Sequence, residues 1–414
     1  MKKEIIKYPV VFFTLIAVFF TYSVLVCLLP TETIKKNVTK SVSGMVDEGH
    51  YPRAIINKKG CQMDNFTDVM FLSQNYAIDN KKPIVSVIHA KHALHPSLGL
   101  LDAVKRQVDL EEVEFSSYPR YWHGNSFLLR PFLLFADYSF IRWFLYTISS
   151  ILFLILGIKM HQTLGMKKTV AFMLGLLCVN IFVAQFSIQF FTVIALSVIA
   201  SILMCKYFKD RKKILLISFI FGCMTSYFDL LTAPLLTCGL PLLVYLSAKT
   251  EDSFKKRLST LFLFAVLWGM GYGFTWASKW VLGTLFTDIN VIKDAFDNVL
   301  FRSSNETNSR LDAIIINFNL LPIVAINLIL TMLLPLVVLF FNKNELKTNL
   351  LLLIVAIFPY LWLFVVAQHS WWHWWFTYRI QAISIIAIFF IFINFISWDK
   401  VIQSYERCKT FFQK

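Results

Sequence analysis

Apolar positions along this chain come in long runs, and polar positions come in short connections with one exception. The runs cover 8–30, 141–161, 169–184, 187–205, 213–228, 230–248, 260–284, 318–341, 348–367 and 380–398. Runs of roughly twenty residues are what an α-helix needs to cross a bilayer. The pattern therefore predicts an all-α, polytopic helical membrane protein with about ten transmembrane helices in a single integral-membrane domain, 1–414. The exception is 31–140, a long polar stretch read as a large extracytoplasmic loop after the first span; nine further spans fill 141–398, and 399–414 is a tail. The start MKK ahead of 8–30 also fits a signal peptide, but the run is long and lacks a small-residue cleavage site, so it is read as a first span. Patches inside the loop, at 69–72, 84–88 and 127–134, are too apolar for disorder and predict short interfacial helices.

Composition agrees with this reading: 57% of residues are hydrophobic and 41 are Phe, against 14 Gly and 12 Pro, which excludes an ordinary soluble domain. The net charge of +15 would also suit a nucleic-acid binder. However, the basic residues gather in alternate connections (Lys159, Lys167 and Lys168; 206–213; 249–257; Lys343 and Lys347) and in the tail from Lys400 to Lys414. Positive-inside counting then puts both termini in the cytoplasm of a multi-pass cell-membrane protein, and no nucleic-acid signature appears. The seven cysteines form no CxxC or Cys/His spacing, and five of them fall in or at the ends of apolar runs, so no disulfide framework is implied. Sequons at Asn37, Asn65 and Asn305 fall on the outer side of this topology, in a number that chance also yields.

Chemistry gathers on that outer side. Asp64 and Asp68, in CQMDNFTD, are four apart, so a helix projects both carboxylates from one face. Near the interface, desolvation and mutual repulsion raise such a pKa toward that of a general base; the bland reading is a solvated face with Asp64 or Asn65 as a helix cap. Asp47 and Glu48 form a second acidic pair nearer the first span. PRYWHGNSFLLRP holds Arg120, His123 and Arg130, which suit either a phosphate or interfacial anchoring. In HSWWHWWFTYR, His369, His373 and Arg379 lie among four Trp, a set able to stabilise a phosphate leaving group and stack on sugar, or to serve as an aromatic belt. Asp229 sits at a turn in YFDLLTAP, followed by Pro234 and Pro241, which break or kink the helix. His89, His92 and His95 lack an acidic or thiol fourth ligand, so no metal site is assigned.

One large outer loop with acidic residues behind the first span, followed by many spans whose outer links carry His and Arg, resembles the C-type fold (GT-C) of integral-membrane glycosyltransferases. The matching stretches are MDNFTD, RYWHG, YFDLLTAP and HSWWHWWFTYR. They also resemble polytopic membrane proteins of low-GC Gram-positive bacteria, a resemblance that carries no activity. The glycosyltransferase resemblance implies a polyprenyl-phosphate-linked sugar as donor and a cell-envelope glycan or lipid as acceptor, with inversion at the anomeric carbon. It implies Asp64 or Asp68 as the base and Arg379, Arg130 and His373 facing the departing phosphate, with Arg120, His123, Asp229 and His369 lining the substrate site. No cofactor is required by it, and a divalent metal is compatible with it. Two departures stand out: Asp47-Glu48 lies closer to the first span, where the family carries its acidic motif, and no large C-terminal soluble domain follows. The rival reading is a transporter or flippase for a lipid-linked sugar or other small molecule, with which Gly269, Gly271 and Gly273 are compatible.

Overall fold

The computed structural model describes residues 2–304 and 309–412; the Asn305 sequon and Lys414 lie outside them. In chain order the helices are α1 (Lys2–Cys27), α2 (Thr31–Glu48), α3 (Asn65–Ala77), α4 (Pro83–His89), α5 (Leu100–Val108), α6 (Gly124–Phe132), α7 (Tyr138–Leu164), α8 (Met166–Cys178), α9 (Ile181–Ala184), α10 (Ile188–Tyr207) and α11 (Arg211–Phe228). There follow α12 (Leu236–Ser247), α13 (Phe254–Phe286), α14 (Val291–Ser303), α15 (Arg310–Phe318), α16 (Ile323–Leu339), α17 (Leu346–Val365), α18 (Ala367–Trp372), α19 (Trp374–Thr377), α20 (Ala382–Phe395) and α21 (Trp398–Phe412). Two three-residue strands, β1 (His92–Leu94) and β2 (Glu114–Ser116), pair antiparallel with Ala93 opposite Phe115.

Among the described residues, six helical segments are long and apolar enough to cross a membrane: Ile6–Cys27, Tyr138–Leu164, Ile188–Tyr207, Phe254–Phe286, Lys343–Val365 and Trp374–Phe395. A seventh arises if α15 and α16, bent by 72° at their junction, count as one. The bend falls just before Pro322, where a proline excludes the preceding residue from helix. The other apolar runs fold into shorter pieces. The run 169–184 breaks at Asn180, which has φ +52°, and 230–248 starts its helix only at Leu236 because residues 229–235 form a turn around Leu231, with φ +67°. α8 and α12 are 13 and 12 residues long, about 20 and 18 Å at helical rise, against a hydrocarbon core of roughly 30 Å.

Burial sorts these helices. α10 and α20 are buried on nearly every side and form the middle of the bundle, whereas α1, α13, α16 and α17 present Phe, Leu, Ile and Val outward. α11 and α13 touch backbone to backbone: a Cβ on Gly222 would sit 2.2 Å from the Trp268 carbonyl oxygen, and one on Gly271 2.3 Å from that of Phe219. Gly271 thus serves helix packing in the small-residue manner, while Gly269 and Gly273 face open space.

The 31–140 segment folds against this bundle around a second apolar core. α2 turns Ile34, Val38, Val42 and Met45 toward α3, α5 and the start of α7, and its other face is polar. Arg130 fastens the segment to α1. Its guanidinium is fully buried and donates from Nε to Val26 O (2.8 Å), from Nη1 to Asn75 O (2.9 Å) and from Nη2 to Leu29 O (3.2 Å) and Thr31 Oγ1 (3.4 Å). Lys279 of α13 reaches α4 similarly, donating to Val87 O (2.8 Å) and Ile88 O (3.2 Å). These two cations add donors to buried carbonyls at the C-terminal ends of α1, α3 and α4.

Candidate functional site

Asp64 is the N-cap of α3 and Asp68 lies in its first turn, so the two carboxylates diverge where an unbroken helix would align them. Asp64 accepts from Thr67 N (3.1 Å) and Thr67 Oγ1 (2.8 Å), and its own N–H donates to Ser187 Oγ (2.8 Å). Asp68 turns toward α7 and α10: Tyr138 Oη donates to its Oδ2, and Gln189 N to its Oδ1 (3.3 Å). Both carboxylates are fully buried. Burial pushes Asp64 up to about 7, with the charge of Asp68 adding, while the Thr67 bonds and the charge of Arg379 pull it back. Burial likewise pushes Asp68 up to about 6, against the bond from Tyr138 and the charge of Arg142.

The acidic pair nearer the first span is divided. Asp47 is exposed, whereas Glu48 accepts from Arg142 Nη1 at 3.0 and 3.1 Å. Arg142 Nη2 also donates to Asn65 Oδ1 (2.9 Å), and Asn65 Nδ2 donates to Glu48 Oε2 (2.9 Å) and Gly49 O (2.9 Å). This side of α3 is an ion-pair network that reaches the surface at Glu48 and leaves only Nε of Arg142 without a partner among the described residues.

The Asp64 side is different. Arg379, only 1% exposed, lies near enough for its charge to act on Asp64, yet it makes one hydrogen bond, from Nη2 to Gly60 O (3.0 Å). Its Nε and Nη1 have no partner among the described residues. Aromatic rings enclose the place: Phe190 lies 4.9 Å below the guanidinium, and Trp375 stands edge-on to Tyr51 at 4.9 Å and to Phe190 at 6.2 Å. The turn carrying Gly60 is pinned from above, since Tyr378 Oη also donates to Gly60 O (3.0 Å). A Cβ on Gly60, whose φ is +78°, would fall 2.8 Å from that hydroxyl oxygen, so only glycine fits. Cys61, although it belongs to the long polar stretch 31–140, is buried beside this turn.

A second polar group lies across the first turn of α10. Gln189 Nε2 donates to Thr232 Oγ1 (3.0 Å), and Thr232 N donates to both oxygens of Asp229 (3.0 and 3.1 Å), an Asx-type turn that accounts for the late start of α12. His369 Nε2 meets Leu231 O at 2.8 Å, and its ring lies 4.6 Å from that of His373. Burial drives both imidazoles down, His369 well below its ordinary value and His373 to about 4, and the charge of Arg302 adds to both effects. Arg302 in turn donates from Nη1 to Tyr121 Oη (2.8 Å).

The predicted residues therefore divide. Asp64, Asp68, Asp229, His369, His373 and Arg379 lie around the first turn of α10 and the turns beside it. Arg120, His123 and Arg130 do not join them. Arg120 pairs with Asp294 at 3.0 Å and lies over the Tyr118 ring. His123 is buried with φ +56° between Tyr118 O (2.8 Å) and Gln74 Nε2 (3.2 Å) and is driven down to about 3 by desolvation, hence neutral. Arg130 is consumed by the end of α1. Residues that the sequence did not single out are Tyr51, Tyr138, Arg142, Gln189 and Arg302. Of these, only Arg142 carried a signal, a charge at the second position of the apolar run 141–161.

Among the described residues, no three His, Cys, Asp or Glu side chains converge as metal ligands. His89 and His95 turn to Ser117 and Ser97, and His92 to the Tyr118 ring. No family model matches the chain, and no curated protein and no solved structure matches it.

Proposed function

We propose that the chain is a membrane glycosyltransferase that moves a sugar from a polyprenyl-phosphate donor to a cell-envelope glycan or lipid acceptor at the outer face. In this reading it crosses the membrane about ten times, α8 and α12 serving as short spans, with both termini in the cytoplasm. Support for the orientation comes from basic side chains at the end of the bundle remote from α3: Lys168 donates to Ser247 O (3.1 Å), Arg211 to Thr260 Oγ1 (2.9 Å) and Arg257 to Thr348 Oγ1 (3.1 Å).

One observation carries the activity: a buried guanidinium with two unpartnered nitrogens, Arg379, beside a buried carboxylate, Asp64, at the mouth of an apolar bundle. A buried cation left this incomplete calls for an anion, and phosphate oxygens are suited to accept from Nε on one edge of the guanidinium and from Nη1 on another. In the proposed reaction Asp64 takes the proton of the acceptor hydroxyl, whose oxygen forms a bond to the anomeric carbon from the opposite face. The bond from that carbon to the phosphate oxygen breaks, and the electron pair leaves with the polyprenyl phosphate toward Arg379. Asp68, whose bonds from Tyr138 and from the backbone of Gln189 tie it to α7 and α10, holds α3 to the bundle and is a positioning residue. Tyr51, the exposed one of these rings, supplies the face on which a sugar stacks.

The test is transfer of radiolabelled sugar from polyprenyl-phosphate hexose in membranes holding the full chain at normal level. Asp64→Asn is expected to lower transfer at least 100-fold. Full transfer by that variant overturns the assignment, and movement of the labelled lipid across the membrane without any transfer overturns the enzyme reading.

A further inference from the structure

At the end of α3 remote from Asp64 a pocket opens. Asp64 and Gln74 are separated by ten positions of helix, about 15 Å along its axis. The pocket lies between the last turn of α3, α4 and the start of α6, and has a volume of about 270 Å³. Gln74 and Ser126 form its buried polar floor, Phe127 and Ile78 an apolar wall, and Lys82 and Lys91 stand exposed at its rim on either side of α4.

Two features of this pocket ask for a ligand. Gln74 is 3% exposed, and its Nε2 donates to Ala90 O (3.3 Å) and meets His123 Nδ1 (3.2 Å), yet its Oε1 receives no hydrogen bond among the described residues. An acceptor buried without a donor is costly, and a ligand hydroxyl would satisfy it. The two rim ammonium groups enter no ion pair among the described residues, although nine positions apart on the two sides of one short helix they face the same opening. Asp79, also on the rim, offers a second acceptor, its Oδ1 being held by Lys81 N (2.9 Å). Cations at the mouth, acceptors at the floor and edge, and an apolar wall together match a small anion that carries hydroxyl groups.

We infer that this pocket binds an anionic carbohydrate, a sugar or polyol bearing phosphate or carboxylate, at a site separate from Asp64 and Arg379. The anion meets Lys82 and Lys91, one hydroxyl donates to Gln74 Oε1, and the ring carbons lie on Phe127. This binding does not depend on whether Asp64 and Arg379 transfer sugar.

Calorimetry on the full-length protein in nanodiscs tests it with glucose 1-phosphate, glucuronate, glucose and inorganic phosphate as probes. Saturable binding of glucose 1-phosphate or glucuronate is expected, at least tenfold tighter than glucose and than inorganic phosphate; which of the two binds identifies the anionic group. The Lys82→Ala/Lys91→Ala variant changes only exposed side chains and is expected to lose at least tenfold in affinity. Ser86→Trp, which fills the opening, is expected to abolish binding. Gln74→Leu is expected to bring glucose 1-phosphate down to the affinity of inorganic phosphate. The inference is overturned if no probe saturates, if inorganic phosphate binds as tightly as the sugar anions, or if binding survives in the double Lys variant or in Ser86→Trp.

Discussion

Arg130 and Arg379 are the same residue type, equally buried, and differ in everything the fold asks of them. Arg130 gives Nε and both Nη groups to three main-chain carbonyls and a threonine hydroxyl. Arg379 gives one nitrogen to Gly60 O, a carbonyl that Tyr378 also serves, and leaves Nε and Nη1 unmatched. Desolvating a guanidinium is tolerable when its donors are matched, so the first arrangement is complete in itself. The second leaves two N–H groups unmatched. Burial alone therefore does not distinguish these two arginines; the census of their donors does.

The sharpest way to break this comparison is to remove each cation in turn. Arg130→Met leaves three buried carbonyls short of donors and should lower stability by on the order of 3 to 5 kcal/mol, read as loss of folded protein in detergent-unfolding curves. If Arg130→Met melts like the parent, the clamp is not structural. Arg379→Lys keeps the charge and loses the fixed planar donors at Nε and Nη1, so it should fold normally and transfer sugar about 100-fold more slowly. Equal damage to folding in Arg379→Lys and Arg130→Met would erase the distinction between them.

A smaller effect is expected from an added anion. Pyrophosphate at ten times its dissociation constant should stabilise the parent by about 1.4 kcal/mol and leave Arg379→Met unmoved in a thermal-shift assay. A shift retained in Arg379→Met would place the anion elsewhere. The least effect comes from pH. Asp64 at about 7 lies above the ordinary carboxylate value, so the folded state holds a proton that the unfolded chain releases between roughly pH 4 and 7, and this residue's contribution to stability falls as pH rises through that window. The buried His123 and His373, driven to about 3 and about 4, act in the opposite sense below pH 6.5. They cancel when parent and Asp64→Asn are compared. The variant should melt with the parent at pH 4, and ~2–4 °C above it at pH 8; an unchanged difference at both would mean that Asp64 is ionised throughout.

The helical, membrane-capable character of the chain was legible because hydropathy adds up over a run, whatever the run packs against. Its interruptions were less so. Pro234 marked trouble in 230–248, but the turn itself rests on Asp229 accepting from Thr232 N, and nothing local announces Asn180 in a left-handed conformation. At the candidate site, the acid at 64 was visible and its capping role was one of two readings left open by the spacing. What spacing cannot reveal is the partner: Tyr138 for Asp68, Leu231 O for His369 and the end of α1 for Arg130 all come from more than fifty residues away. Arg120, His123 and Arg130 looked like one phosphate-binding set because they are close in sequence, and three different elements claim them.

The pin of Arg379 on Gly60 joins residues 319 positions apart. A ribosome adding about 5–20 residues per second needs on the order of 15 to 60 seconds to cover that interval. For all that time the turn at Gly60 has emerged without the residues that hold it. The surroundings of Asp64 are thus completed only near the end of synthesis, and a chain stopped short of Arg379 by a premature stop codon would carry both acids without the cation beside Asp64.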